Sequence, residues 1–91
     1  MNQPVEHQPG ATRFLATVDD HEAELVYACV GDRIDLLHTR VPEAIAGQGI
    51  AGDLVQAALE FARAEGLKVV PSCSYAATYI QRHPAYQELL A

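Results

Sequence analysis

The stretch Ala46-Gly47-Gln48-Gly49-Ile50-Ala51-Gly52 decides how this sequence is interpreted. Apolar residues recur at helical spacing after Ile50, so this glycine-rich loop opens a helix. Glycines let a backbone approach a ligand closely, and the first turn of a helix offers unpaired N–H groups at the positive end of its dipole. These features predict a phosphate site. The alternative is a loop that needs flexible residues only, with Gly52 allowing close packing of the helix on the sheet.

Hydrophobic periodicity predicts the elements on both sides of this loop. In chain order they are strands at residues 12–18, 22–30 and 34–41, a helix from residue 50 that Gly66 ends as a left-handed cap, a strand at 67–70, a helix at 75–81, and a last turn or two at 85–90. Short turn sequences join the first three strands, which therefore form an antiparallel meander. The long helix is a crossover connection, so the fourth strand should lie parallel to the third.

The fold class that follows is α/β (α+β), a mixed sheet with helices packed on it. Residues 1–11 are polar and contain two prolines, and they predict a flexible N-terminal lead-in. Residues 12–91 then form a single domain. Alternation along the second strand places Cys29 in the core beside Tyr27.

Composition and charge exclude several classes of function. The chain has 91 residues, 49% of them hydrophobic, and a net charge of −6. A nucleic-acid binder needs a basic face, so neither nucleic acid nor an anionic membrane is an expected partner. The first ten residues lack the pattern of a signal peptide, so we expect a cytoplasmic protein, either a monomer or a weak homodimer. Two cysteines are too few for a disulfide scaffold, and the histidines have no metal-ligand spacing, so no metal is expected.

Two familiar phosphate loops fit this segment poorly. Gly47-x-Gly49-x-x-Gly52 matches the dinucleotide fingerprint, but the next strand ends in Val70-Pro71-Ser72 without the acidic residue that binds ribose. A nucleoside-triphosphate loop needs Gly-Lys-Ser/Thr, which is absent from the sequence.

The segment from Val41 to Gly52, followed by an alanine-rich helix, instead resembles the GNAT superfamily of N-acetyltransferases. Their loop reads Arg/Gln-x-x-Gly-x-Gly/Ala; here Gly49-Ile50-Ala51 supplies its second half, while Ala46 stands in place of the usual Arg or Gln. The chain is most similar to short single-domain GNAT-like proteins over residues 13–91. Further markers of that resemblance are His38-Thr39-x-Val41-Pro42, Glu60-x-Ala62-x-x-x-Gly66-Leu67-Lys68-Val69, Val70-Pro71-x-Cys73 and Tyr79-x-x-Arg82-His83-Pro84-x-Tyr86.

The resemblance implies a minimal GNAT-like fold that binds acetyl-CoA, with coenzyme A as the product. In the family the loop backbone holds the pyrophosphate, and a backbone N–H near the end of the preceding strand polarises the thioester carbonyl. Carried over to this chain, the cosubstrate-binding residues are Val41, Gly47, Gln48, Gly49, Ile50, Ala51 and Gly52.

Three residues are candidates for catalysis. Cys73 follows the fourth strand, where the thioester sulfur should lie, and is either a nucleophile or a small apolar residue near the core. His38 is its candidate base, or else a hydrogen-bonded residue at a strand end. Tyr79 matches a tyrosine that many GNAT enzymes use to protonate the leaving thiolate, or else is a core tyrosine.

The sequence therefore predicts transfer of an acetyl group from acetyl-CoA to an amine or protein acceptor that it does not identify. The short GNAT-like proteins that this chain resembles lack the first helices with which full GNAT enzymes shape an acceptor pocket. For that reason a coenzyme A-binding or protein-interaction module without turnover is the alternative.

Overall fold

The computed structural model describes residues 4–91, which form one five-stranded mixed sheet with two α-helices. The strands are β1 (Glu6–Gln8), β2 (Arg13–Val18), β3 (His21–Val30), β4 (Arg33–Arg40) and β5 (Lys68–Val70), and the helices are α1 (Ile50–Glu65) and α2 (Ser74–Arg82). Short 3-10 helices lie at Pro9–Ala11, Glu43–Ile45 and Pro84–Leu89. Among the described residues, no helix is long and apolar enough to cross a membrane.

The strands follow one another across the sheet in the order β1-β2-β3-β4-β5. β1 to β4 are antiparallel, and β5 pairs with β4 in parallel. The predicted meander and the predicted parallel strand are both confirmed. Gly66 has φ 69° and its N–H bonds back to the last turn of α1, so the predicted left-handed cap is confirmed as well.

The first strand is the main departure from the sequence expectation. Residues 1–3 of the predicted lead-in lie outside the described residues, but Glu6–Gln8 pair with β2. His7 holds this strand in place: its ring stacks on Phe14 with centroids 4.2 Å apart, contacts Phe61 edge-on, and lies 2.6 Å from the Tyr27 hydroxyl. A polar three-residue strand has no periodic signal of its own, and only this tertiary packing fixes it.

One face of the sheet and the inner face of α1 build the core. The buried residues of α1 recur at helical spacing: Ile50, Leu54, Val55, Ala58, Leu59 and Ala62. They pack against alternate residues of β2 to β5, among them Phe14, Leu25, Leu36 and Val69. The sequence predicted an apolar face made of Ile50, Leu54, Ala57, Ala58, Phe61 and Ala62. This was correct in part: Ala57 and Phe61 are only partly buried, and Val55 and Leu59, which the prediction left out, are buried.

The C-terminal 3-10 helix fastens α2 beside α1. The Tyr86 hydroxyl donates a hydrogen bond of 2.6 Å to Glu60 on α1. The guanidinium of Arg63 lies 5.0 Å from the centre of the Tyr86 ring and donates to the carbonyl oxygen of Ala85. These contacts set the position of α2 relative to the glycine loop.

A β-bulge in β4 changes which face its last residues occupy. Tyr27 pairs with Leu36 while Val26 pairs with His38, so Leu37 has no partner on β3. An extra residue shifts the alternation of side chains by one. Thr39, opposite the buried Leu25, therefore lies on the helix-covered face, and His38 lies on the other face.

β4 and β5 part after only three residue pairs. The last pair is Asp35 with Val70. The Ser72 N–H then turns back to the Val70 carbonyl, and the Cys73 N–H bonds to the Leu36 carbonyl at 2.8 Å. We call the opening beyond Asp35 and Val70 the fork.

The predicted burial of Cys29 is wrong. Its side chain is exposed, although Ala23, Leu25 and Tyr27 on the same face of β3 are buried. Cys29 lies one residue from the end of β3, where neighbouring Val30 is 74% exposed. Alternation fixes the face of a strand residue, but whether another element covers that position depends on the tertiary structure.

Leu54 and Leu37 offer a matched test of this core. Leu54→Ala removes a fully buried side chain and should lower the free energy of unfolding by about 2–5 kcal/mol. Leu37→Ala truncates the bulge residue, which is 40% exposed, and should cost less than about 1 kcal/mol. Urea denaturation followed by circular dichroism measures both changes. Equal losses would contradict the described core.

Candidate active site

The glycine loop leaves a row of backbone donors without partners. Ile45 is buried and anchors the 3-10 turn after β4, and Gly47 and Gly49 have φ values of 82° and 78°. Asp53 is the first residue of α1 whose N–H is bonded along the helix, to the Gly49 carbonyl. In residues 4–91, no backbone carbonyl accepts a hydrogen bond from the N–H groups of residues 47–52. The loop therefore presents unpaired N–H groups at a positive helix end, the chemistry that binds phosphate.

A cavity of about 330 Å³ opens beside these donors. It is lined by Val41, Ala46, Gly47, Gly49, Ile50, Ala51 and Tyr75. Five of the seven predicted cosubstrate-binding residues line it, whereas Gln48 and Gly52 do not. A Cβ atom added at Gly47 or Gly49 would meet nothing within 4 Å, so glycine is required there by the left-handed backbone and not by crowding.

Gly52 has a different role from the other loop glycines. A Cβ atom at this position would lie 3.5 Å from the Tyr79 ring and 3.6 Å from the Tyr75 hydroxyl. The first turn of α1 therefore packs directly against the face of α2 that carries these two tyrosines. Tyr75 was not among the predicted site residues. Its position one helical turn before Tyr79, on the same face of α2, could have indicated it.

Cys73 lies at the fork, at the N-cap of α2. Its sulfur is 3.5 Å from the Thr39 hydroxyl, which the bulge has turned to the helix-covered face. The thiol is buried, with 9% of the residue exposed. Thr39 is thus a site residue that sequence reasoning missed, since unbroken alternation would have placed it on the opposite face.

The surroundings of Cys73 favour its thiolate. Burial raises the pKa of the thiol, but the Thr39 hydroxyl and the backbone N–H groups of Ala76, Tyr75 and Thr39 together outweigh it, and the pKa lies below its ordinary value. The Cys73 sulfur does not accept a regular N-cap hydrogen bond from the backbone N–H groups at the start of α2. A partly accessible thiol at a helix N-terminus is the environment of reactive cysteines.

The expected pairing of Cys73 with His38 does not form. His38 is exposed and lies on the face of β4 opposite to Thr39, because of the bulge at Leu37. The side-chain partner of the thiol is Thr39. His38 is therefore not placed to deprotonate Cys73.

Tyr79 is held as a neutral phenol beside the loop. Burial raises its pKa, and Asp53, Tyr75 and Glu60 raise it further. Its ring stacks on His83, with centroids 3.9 Å apart and an interplanar angle of 14°, and the Nδ1 atom of His83 donates to the Tyr79 carbonyl at 2.8 Å. A second cavity, of about 180 Å³, lies between these rings, Tyr75 and Arg82. Tyr75 lines both cavities.

This arrangement can be compared with known proteins. The sequence profile of GCN5-related N-acetyltransferases matches residues 13–89. That span is most of the chain. The chain belongs to the GCN5-related N-acetyltransferase family. Its members include enzymes that transfer acetyl groups, and the loop at residues 46–52 lies within the matched region.

The chain is also similar to individual proteins of comparable length. Protein NATD1 of Homo sapiens is 42% identical over 88 residues, covering 93% of this chain and 78% of NATD1. Protein NATD1 of Danio rerio is 38% identical over 89 residues, covering 92% and 81%. The solution structure of a GCN5-like protein from Staphylococcus aureus superposes with a TM-score of 0.75 and 29% identity, covering 99% of this chain and 89% of that one. The fold is thus that of a short GNAT-like domain.

The lowered pKa of Cys73 predicts how its reactivity depends on pH. In a Cys29→Ser background, alkylation by iodoacetamide should reach half its maximal rate at a lower pH than in the same chain unfolded in guanidinium. Thr39→Val should move that midpoint to higher pH, because the hydroxyl that stabilises the thiolate is lost. A folded-state midpoint equal to or above the unfolded one would contradict the described site.

Proposed function

We propose that this protein transfers the acetyl group of acetyl-CoA to an amine. The observation that carries the proposal is that the glycine loop, with its unpaired N–H groups, and Tyr75 of α2 line one cavity, while Tyr79 packs on Gly52 and the Cys73 thiol lies at the start of the same helix. Membership in the family supports the use of acetyl-CoA, and the loop chemistry fits its pyrophosphate.

The donor would bind chiefly through backbone groups. The N–H groups of residues 47–52 would receive the pyrophosphate, and Val41 and Tyr75 would flank the pantetheine arm as it runs towards the fork. Backbone donors do not require a side chain at the loop's first position. Ala46, which replaces the family's Arg or Gln, is therefore compatible with binding because it lines the cavity without closing it.

The residues at the fork supply a two-step route for the acetyl group. The Cys73 thiolate attacks the thioester carbonyl, the bond from that carbon to the sulfur of coenzyme A breaks, and the departing sulfur takes the proton of the Tyr79 hydroxyl. Cys73 then carries the acetyl group as a thioester. The amine attacks this carbonyl, the carbon–sulfur bond to Cys73 breaks, and the amine gives up one proton; solvent restores the proton of Tyr79.

Binding of acetyl-CoA is the first test. Calorimetric titration should give a dissociation constant in the micromolar range for the wild type. Gly49→Glu should weaken binding at least about tenfold, since a carboxylate among the phosphate donors repels the ligand. Gly31→Glu is the matched control: Gly31 also has positive φ (59°) and open space, and it lies in the β3–β4 turn.

Each binding outcome has a definite meaning. If the wild type does not bind acetyl-CoA, the proposed function is wrong. If Gly49→Glu binds as well as Gly31→Glu, the ligand lies elsewhere on the protein. Binding without transfer to any member of an amine panel would favour a coenzyme A-binding module without turnover.

Turnover tests the roles of Cys73 and Tyr79. Incubation with acetyl-CoA should raise the intact mass by that of one acetyl group, and Cys73→Ser should abolish both this adduct and transfer to amines. Tyr79→Phe should lower kcat about 100-fold, because the leaving thiolate loses its acid, while acetyl-CoA binding stays close to wild type. Full amine transfer by Cys73→Ser would show that the acetyl group passes directly to the acceptor.

A further inference from the structure

The helix-free face of the sheet carries two side chains that the donor site does not use. Asp35 and His38 lie on this face, on either side of the bulge residue Leu37. Their partners on β3 are Ala28 and Val26, which are neighbouring positions on one face of that strand. The Cα atoms of Asp35 and His38 are therefore about 7 Å apart, two strand rises. Within residues 4–91 their side chains do not form a hydrogen bond, but at this spacing a change of side-chain rotamer would bring the carboxylate to the imidazole.

Asp35 stands directly at the fork. It forms the last β4–β5 pair, with Val70, before the strands part. Its Oδ1 atom is buried, and within residues 4–91 it has no hydrogen-bond partner. Buried carboxylate oxygens in folded proteins almost always accept a hydrogen bond, so this atom calls for a donor.

Building on the proposed function, we propose that His38 is the base that takes the proton of the acceptor amine, and that Asp35 is a positioning residue that orients the His38 imidazole. The donor site occupies the helix-covered side of the fork. The acceptor therefore approaches from the helix-free face, where His38 is exposed. His38 takes one proton from the ammonium group before the attack. The neutral amine nitrogen then attacks the acetyl carbon of the Cys73 thioester, the carbon–sulfur bond breaks, and the second amine proton passes through the departing Cys73 sulfur to solvent.

This placement also predicts the class of acceptor. An alkyl amine is an ammonium ion at neutral pH and must lose a proton before it can attack, which is the task of a base. Glu24 on this face is already paired with Arg40 at 3.4 Å and with Arg13 at 3.0 Å. Asp35, with Arg33 two positions before it on the same face of β4, is a second carboxylate on this face that can interact with His38.

The test compares two acceptors that differ in charge. Transfer to an alkyl amine and to an aromatic amine, which is uncharged at neutral pH, is measured for the wild type and for His38→Gln. The variant should lose about 100-fold in kcat/KM with the alkyl amine and less than about tenfold with the aromatic amine. His21→Gln, an exposed histidine at the start of β3, is the control and should match the wild type.

Asp35→Asn separates positioning from a merely structural role. It should lower kcat/KM for the alkyl amine more than for the aromatic amine, because a misoriented imidazole takes the ammonium proton less well, whereas a merely structural defect would lower both alike. Asp32→Asn, in the β3–β4 turn, is its matched control. The two variants and their controls should bind acetyl-CoA and acetylate Cys73 as the wild type does.

The outcomes distinguish this inference from the function on which it rests. If the wild type transfers acetyl groups but the kcat/KM of both variants falls equally with the two amines, or does not fall, the roles proposed for His38 and Asp35 are wrong while the proposed function stands. If the wild type transfers to no amine, both fail. If His38→Gln separates the two amines and Asp35→Asn does not, the positioning role alone is overturned.

Discussion

The parting of β4 and β5 after Asp35 and Val70 is the constraint on which the other features of this domain depend. A parallel pair held by only three residue pairs frees the end of β4 and the segment that leads into α2. The bond from the Cys73 N–H to the Leu36 carbonyl then fixes how far the chain can diverge. The thiol, the start of α2 and the end of the glycine loop consequently meet in one small region. Had the pairing continued, a ladder of hydrogen bonds would fill this space.

The bulge at Leu37 gives the two sides of the fork different chemistry. By shifting the alternation of β4 by one residue, it turns Thr39 towards Cys73 and His38 away from it. The helix-covered side then holds a thiol whose hydrogen-bonding surroundings favour the thiolate, and the helix that begins at this thiol carries the Tyr79 phenol, whose pKa is raised by burial. The helix-free side holds an imidazole and a carboxylate.

The loop illustrates how a small domain can bind an anion with few charged side chains. The chain carries a net charge of −6, yet the donors at residues 47–52 are backbone groups aligned with the positive end of a sixteen-residue helix. Such donors depend on backbone conformation, which the left-handed glycines at 47 and 49 make possible. Backbone donors do not need the Arg or Gln with which the family's loop usually begins, so we expect a change at Gly49 to matter more than the presence of Ala46.

The sequence by itself determined the antiparallel meander of β2 to β4, the strand β5 parallel to β4, the capped helix and the loop that opens it, because these follow from local periodicity, glycine positions and the rules of chain connection. It also indicated Cys73 and Tyr79, which lie in short motifs of the resemblance. Only the tertiary structure decided the partner of the thiol, the faces of Thr39 and His38, the exposure of Cys29 and the strand at Glu6–Gln8. A bulge leaves no periodic signal of its own, and burial depends on which element lies above a residue. Both are settled when the strands pair and the helices pack, and neither is encoded in the spacing of residues along one segment.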